Sequence, residues 1–109
     1  MTRRQIAKLA DVPVGELLRV EVAGVEGGAI CIAHLDDGGV LAVVDRCTHE
    51  DSELSDGILD GDQIECPAHG SQFCVRTGAV RGLPAQEPVR TVHIEVNDGD
   101  IFLNDPSVP

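Results

Sequence analysis

Cysteine and histidine occur together twice within a short stretch of this chain, and the pairing limits its possible folds more than any other feature. Cys47 and His49 form a CxH pair, and Cys66 and His69 form a CxxH pair after a gap of sixteen residues. Two thiolates and two imidazoles suit a tetrahedral zinc ion, or equally a two-iron cluster with two cysteines on one iron and two histidines on the other. The chain is therefore expected to bring the two segments together around a metal centre.

The spacing of these four residues favours the cluster over zinc. Structural zinc sites usually pair like ligands, CxxC with HxxxH, whereas each segment here supplies one ligand of each kind. The two side chains of a CxH pair also reach atoms a few ångströms apart more easily than they reach one ion. A zinc-binding structural module stays open as the alternative.

The composition indicates a small, β-rich protein. The 109 residues suffice for one modest core, so residues 1–109 are predicted to form a single domain. There is no Trp or Tyr and there are only two Phe, which leaves Val, Ile, Leu and Ala to fill the interior. A net charge of -11 disfavours nucleic acid and anionic membranes as partners and favours basic proteins.

The segment nearest the start predicts a first strand and not an export signal. Arg3 and Arg4 are followed by Lys8 and Asp11 before any apolar run of export length. No stretch reaches the roughly 18 apolar residues of a membrane span. The protein is therefore expected in the cytoplasm, where cysteines serve metal ligation more often than disulfides.

Short strand-like segments separated by turn residues predict an antiparallel all-β fold. Residues 17–22 alternate apolar and polar side chains, and the apolar runs 29–33 and 40–44 flank an Asp-Asp-Gly-Gly turn. Two further hairpins are predicted around Asp60-Gly61-Asp62 and Asn97-Asp98-Gly99-Asp100. We expect a small antiparallel β-sandwich or barrel, with both cysteine–histidine segments in loops at strand ends.

The two segments resemble the cluster-binding loops of the Rieske family. The likeness includes Cys47-Thr48-His49 and Cys66-Pro67-Ala68-His69-Gly70-Ser71, and extends to Ser55-Asp56-Gly57 and residues 72–78. Residues 82–85, Gly-Leu-Pro-Ala, are similar to the family's proline loop. Matching segments run from about residue 40 to residue 103, and they are most similar to Rieske-type ferredoxins of bacterial aromatic-ring dioxygenase systems.

This resemblance implies the Rieske fold, in which a cluster-binding subdomain of two loops is added to the β-scaffold, and a Rieske-type 2Fe-2S cluster as cofactor. Cys47 and Cys66 would bind the inner iron and His49 and His69 the outer one, with Pro84 in a loop that covers the cluster. Neutral imidazoles raise the reduction potential above that of an all-cysteine cluster. The electron would enter and leave on the histidine side.

The function implied by the resemblance is that of a one-electron carrier without catalytic residues of its own. It would be a monomeric ferredoxin that takes electrons from a flavin-containing, NAD(P)H-dependent ferredoxin reductase. It would pass them to a terminal Rieske oxygenase acting on an aromatic compound. A Rieske-like small subunit of an assimilatory nitrite reductase is the alternative from a different class.

The chain departs from the Rieske proteins of respiratory complexes at three positions. Those proteins join the two loops by a disulfide, whereas the matching residues here are Ser52 and Ala68. They also place a serine and a tyrosine hydroxyl near the cluster, where this chain has Ser71 and Phe73. Rieske potentials span about −150 to +300 mV, and these departures predict a value toward the low end.

The remaining cysteines and histidines are expected to be structural. Cys31 and His34 lie in an apolar strand without a second pair, which favours core packing. Cys74 is expected to be a buried thiol in the strand after the second loop. His93 alternates with apolar neighbours and is expected to face solvent.

Acidic residues are dense between the two ligand segments. Eight of the residues from 45 to 65 are acidic: Asp45, Glu50, Asp51, Glu53, Asp56, Asp60, Asp62 and Glu65. They are interpreted either as an ordinary solvated face or as a docking surface for a basic partner. Glu50, Asp51 and Glu53, which follow His49, are the foremost candidates for docking.

Overall fold

The structure of the protein is a computed structural model that describes residues 3–49, 51–68, 70–106 and 108. These residues form eleven β-strands and three short 3₁₀ turns, and no α-helix. None of the helical turns has the length and apolar character required to span a bilayer. The predicted antiparallel all-β fold is confirmed.

The strand bounds follow the predicted segments closely. In chain order the strands are β1 (Arg4–Lys8), β2 (Leu17–Glu21), β3 (Ala29–His34), β4 (Val40–Val44), β5 (Ile58–Asp60), β6 (Gln63–Glu65), β7 (Gln72–Cys74), β8 (Val80–Gly82), β9 (Thr91–Val92), β10 (Ile94–Asn97) and β11 (Asp100–Leu103). The predicted first strand, β1, is present, but its partner β11 comes from the other end of the chain.

The strands form three sheets. The first has the order β1-β11-β10, the second β2-β3-β4-β9 and the third β5-β6-β7-β8. Because β4 and β9 are neighbours in the second sheet, the whole third sheet is an insertion between two adjacent strands of the second. Each cysteine–histidine segment follows shortly after a strand: β4 of the second sheet and β6 of the third.

Turn residues explain the predicted hairpins. Between β10 and β11, Asp98 and Gly99 have φ angles of 52° and 79°, as a two-residue turn of the favoured hand requires. Between β3 and β4, Gly38 has a φ of 91°, and the Asp37 carboxylate accepts a hydrogen bond from the Gly39 N–H at 2.9 Å. The third predicted turn joins β5 to β6.

Aliphatic side chains fill an interior that the three sheets share. β3 is buried on both faces except at His34, as its unbroken apolar run predicts. One buried cluster includes Ile101 of the first sheet, Ile32 of the second and Phe73 of the third, all with no exposed surface. The inserted sheet is therefore packed onto the same core as the other two.

An ion-pair network links two hairpin turns at the end of the molecule away from Cys47 and Cys66. Arg76 contacts Asp37 of the β3–β4 turn at 2.6 Å and Asp62 of the β5–β6 turn at 3.2 Å, and Arg81 contacts Asp62 at 2.6 Å. The hydrogen bond from Arg81, with that from Arg76, holds the pKa of Asp62 below its ordinary value. These turns precede β4 and β6, whereas the cysteine–histidine segments follow those strands.

Gly78→Ala is expected to lower the free energy of unfolding by about 3 kcal/mol. Its φ of 81° costs an L-residue roughly 1 kcal/mol, and a Cβ would lie 2.0 Å from the Val89 carbonyl oxygen, an overlap that adds about 1–3 kcal/mol. Gly99→Ala is the matched control, since its φ is 79° but its Cβ would meet nothing within 4 Å. Urea denaturation should show a clearly smaller loss for the control, and equal losses would contradict the close approach at Val89.

Candidate metal centre

The two cysteine–histidine segments form loops of the same construction. The N–H of Cys47 donates to the carbonyl oxygen of Ser52 at 2.9 Å, and the N–H of Cys66 donates to the carbonyl oxygen of Ser71 at 2.7 Å. We call residues 47–52 the first ligand loop and residues 66–71 the second. Each loop begins at a cysteine and is closed by a backbone hydrogen bond five residues later, so the two cysteines occupy equivalent positions.

The two predicted cysteine ligands differ in burial from the predicted histidine ligand that the structure describes. Cys47 and Cys66 are 2% and 1% exposed and belong to one buried cluster, whereas His49 is exposed. Buried thiols suit an iron that faces the protein, and an exposed imidazole suits an iron that faces solvent. The donors that the structure describes therefore fit a Rieske-type cluster. His69, the fourth predicted ligand, lies outside the described residues.

The described side chains do not form a site for a single ion. Among residues 3–49, 51–68, 70–106 and 108, no three Cys, His, Asp or Glu side chains are grouped closely enough to hold one metal. The four cysteines are present as thiols and all are buried.

A third segment connects the two ligand loops through side-chain hydrogen bonds. The hydroxyl of Thr48, in the first loop, donates to the carbonyl oxygen of Glu87 at 2.7 Å. The hydroxyl of Ser71, in the second loop, accepts a hydrogen bond from the N–H of Ala85 at 3.0 Å and is fully buried. Both partners lie in or just after the predicted proline loop, so that loop fixes the two ligand loops relative to each other.

The surface beside His49 is polar and mainly acidic. One cleft next to it is lined by the carboxylates of Glu26, Asp51 and Glu87, and by Arg46, whose Nε lies 3.6 Å from Asp51 Oδ1. A neighbouring cleft includes Pro84, which places the predicted covering loop next to His49. The exposed imidazole therefore opens onto a surface that suits a basic partner.

Of the eight acidic residues that were interpreted as a solvated face or a docking surface, Asp45 fits neither interpretation. Asp45 is buried, with 5% of its surface exposed, and hydrogen bonds such as that from the Ser55 N–H offset the loss of water around its carboxylate. Asp60, the last residue of β5, and Asp62, in the β5–β6 turn, lie at the opposite end of β6 from Cys66 and therefore away from the predicted docking surface. The three-residue strand β6 separates this turn from Cys66, so acids that are close to the ligand in sequence lie away from it in space. Asp51, in contrast, is at the surface and lines the cleft beside His49. Glu50 lies outside the described residues.

The other cysteines and histidines have the predicted structural roles. Cys31 is fully buried, and its burial raises the pKa of the thiol. His34 is half-buried, and its Nδ1–H donates to the Val12 carbonyl oxygen at 2.8 Å. Cys74 is buried as predicted; burial raises its pKa, but hydrogen bonds from Thr77 bring the pKa below the usual value. His93 is exposed.

Ser71→Ala is expected to lower the reduction potential by about 40 mV. The Ser71 oxygen accepts a hydrogen bond from the Ala85 N–H. With a cluster bound between the loops, the Ser71 O–H would donate to one of its sulfur atoms and so stabilise the negative charge that an electron adds. A net hydrogen bond contributes about 1 kcal/mol, which corresponds to roughly 40 mV for one electron. Ser52→Ala, at the equivalent position of the first loop, is the control and should change the potential little. Voltammetry that found the two variants equal would show that Ser71 does not donate to the cluster.

Comparison with known proteins identifies the family. The sequence matches the Rieske 2Fe-2S domain over residues 2–93. It is 40% identical over 108 residues to the 3-phenylpropionate/cinnamic acid dioxygenase ferredoxin subunit of Escherichia coli K12, an alignment that covers 97% of this chain and 96% of that one.

Solved structures agree with this match. The Sphingomonas yanoikuyae B1 ferredoxin aligns with a TM-score of 0.87 at 32% identity and covers 96% of this chain and 100% of its own. A chain in the complex of reduced oxygenase and oxidized ferredoxin in carbazole 1,9a-dioxygenase aligns with a TM-score of 0.83 at 33% identity, with 93% of this chain and 91% of that chain covered.

Family membership decides between the two metal centres that the sequence leaves open. The cofactor of a Rieske domain is a Rieske-type 2Fe-2S cluster, which supplies one-electron redox chemistry, so the zinc alternative is not retained. The matched E. coli protein is a ferredoxin subunit and so an electron-transfer component. This chain belongs to the Rieske 2Fe-2S family, as a ferredoxin that carries electrons and is not itself a catalytic enzyme.

Proposed function

We propose that this chain accepts single electrons from an NAD(P)H-dependent flavin reductase and delivers them to a terminal Rieske oxygenase that acts on an aromatic compound. The observation that carries the proposal is a likeness over nearly the whole chain to ferredoxin components of aromatic-ring dioxygenases. One of these matches comes from a complex of a ferredoxin with its oxygenase. An exposed imidazole above buried thiols offers a surface at which such a partner could exchange electrons.

The proposed ligands of the cluster are Cys47 and Cys66 on the inner iron and His49 and His69 on the outer iron. The equivalent positions of the two cysteines, their burial and the exposure of His49 support this assignment. The assignment also explains why the proline loop bonds to both ligand loops, since a cluster shared between two loops requires them to keep a fixed separation.

Residues 1–109 are proposed to act as one domain and as a monomer in the cytoplasm. The pairing of β11 with β1 supports a single unit, because the part of the chain after residue 93 completes a sheet that the first strand begins. The core shared by the three sheets supports it as well. A cytoplasmic location would give the proposed reductase access to NAD(P)H.

A reconstituted assay tests the proposed function. The purified holoprotein is combined with the reductase and oxygenase components of the E. coli 3-phenylpropionate dioxygenase system, NAD(P)H and 3-phenylpropionate. We expect product formation to require this protein. His93→Gln, which changes an exposed histidine outside the ligand loops, should support the same rate, whereas His49→Ala should support none.

The proposal would be overturned by a holoprotein that is reduced chemically yet transfers no electron to an oxygenase. To separate this outcome from a mismatch with one oxygenase, the oxygenase of carbazole 1,9a-dioxygenase is tested in parallel. Failure with both, while the native ferredoxins transfer electrons in the same assays, would contradict the proposed role.

A further inference from the structure

Asp45 is a buried carboxylate between the second sheet and the first ligand loop, and the ligand assignment does not use it. Its side chain has 0% of its surface exposed. It accepts hydrogen bonds from the N–H of Ser55 at 2.7 Å, from the hydroxyl of Ser55 at 2.6 Å and from Nη1 of Arg19 at 3.0 Å. A buried charge is tolerated only with partners of this kind, so the arrangement is specific to a carboxylate.

These hydrogen bonds close the base of the first ligand loop. Asp45 and Ser55 lie on either side of residues 46–54, the segment that contains the first pair of proposed ligands. Ser55 belongs to a 3₁₀ turn that is anchored by the fully buried Leu54. Asp45, at one end of the loop, bonds Ser55 at the other end and Arg19 in β2. Both ends of the loop are therefore held to the second sheet.

The carboxylate of this group lies close in the chain to the first proposed thiolate ligand. Asp45 precedes Cys47 by two residues, a spacing of at most about 7 Å along the chain. The negative charge of Asp45 acts inside the protein. The pKa of Cys31 is raised first by the burial of its thiol and second by the charge of Asp45. The hydrogen bond to Asp45 also raises the pKa of Arg19, which keeps the guanidinium protonated. A nearby carboxylate opposes the addition of an electron, and a nearby guanidinium favours it.

We propose that Asp45, Arg19 and Ser55 form a positioning group that fixes the first ligand loop and adjusts the reduction potential through the opposed charges of Asp45 and Arg19. This inference rests on the proposed ligand assignment, because Cys47 must bind the cluster for the group to act on it. The reduction potential is a property of the isolated protein, so the inference can be tested without a partner.

The test compares variants that remove one charge of each sign. Asp45→Asn should raise the potential by roughly a tenfold change in the equilibrium constant for electron uptake, since charges about 10 Å apart interact by that much at an effective dielectric constant of about 20. Arg19→Met should lower the potential by less, because a third of the Arg19 side chain is exposed and water screens its charge. A tenfold change is about 59 mV for one electron. The double variant should return toward the wild type. Glu53→Gln, which removes a more exposed carboxylate 3.5 Å from Arg19, is the control and should change the potential little.

A second pair of variants tests the positioning role alone. Ser55→Ala removes the hydroxyl donor but keeps the backbone donor, and it should release the cluster severalfold faster on heating, as followed by visible absorbance. Ser55→Thr keeps the hydroxyl and should restore the wild-type rate.

Iron and sulfide analysis before each measurement shows that the variant carries a full cluster. Voltammetry needs no partner protein, so its result does not depend on the oxygenase assay. Shifts of the same sign for Asp45→Asn and Arg19→Met, or no shift in a fully loaded protein, would overturn the inference. If Asp45→Asn does not fold, Arg19→Met alone decides, and an unchanged potential would again contradict the proposal.

Discussion

Cys66→Ala is expected to yield a protein without an intact 2Fe-2S cluster and with a melting temperature at least about 12 °C below that of the wild type. Cys66 is buried at the start of the second ligand loop, where no other described thiol could replace it as a ligand of the same loop. A metal centre that ties two loops together contributes directly to folding stability in a small domain. A loss of about 3 kcal/mol lowers the melting temperature of a domain of this size by about 12–24 °C.

The matched control is Cys74→Ala, which removes a buried thiol from β7, the strand that follows the second ligand loop. This variant should keep the full iron and sulfide content and lose only the small stability expected for deletion of a buried sulfur atom. A Cys66→Ala protein with two irons and two sulfides per chain would contradict the ligand assignment, as would a Cys74→Ala protein that loses the cluster.

Electron transfer from the proposed reductase is expected to slow about tenfold as salt is raised from low to physiological ionic strength, and to slow further when Glu50 and Glu53 are changed to Lys. These residues follow His49 in the chain, and Asp51 between them lines the cleft beside it. Opposite charges increase the encounter rate of two proteins, and salt screens them over about 8 Å. Stopped-flow absorbance measures the rate, and the visible spectrum of the cluster should stay unchanged.

The control reverses two exposed acids at the other end of the molecule. Asp36 lies in the turn before β4, and Asp60 is the last residue of β5, beside the turn before β6. Asp36→Lys with Asp60→Lys therefore changes the net charge equally but away from the ligand loops. Similar slowing in both double variants would show that net charge acts without a defined docking surface. Rates indifferent to salt and to either charge reversal would remove the acidic residues from the docking site.

The sequence predicts the hairpins and both ligand loops because each depends on neighbouring residues. A turn such as Asn97-Asp98-Gly99-Asp100 determines its own hairpin, and a cysteine at a strand end is visible from the apolar run before it. The bonds that hold the site together were not predicted, since they join residues far apart in the chain. Thr48 and Glu87 are 39 residues apart, and Ser71 and Ala85 are 14 apart.

Asp45 shows why a charged residue is difficult to interpret from sequence alone. It is one of eight acids in a short stretch, and nothing in its spacing distinguishes it from those at the surface. Its burial depends on Arg19, 26 residues earlier, and on Ser55, ten residues later. The Ser55-Asp56-Gly57 motif, which is part of the family resemblance, supplies the serine that bonds Asp45.

The proposed ligand set, with two histidines on the iron that accepts the electron, can be tested directly by hyperfine spectroscopy of the reduced protein labelled with ¹⁵N-histidine. The chain has four histidines, and two of them, His34 and His93, are proposed to lie outside the site. We expect two coupled nitrogens in the wild type, two in His34→Gln and His93→Gln, and one in His49→Cys, where a thiolate would replace an imidazole. A reduced cluster without coupled histidine nitrogen, or with two coupled nitrogens in His49→Cys, would contradict the assignment.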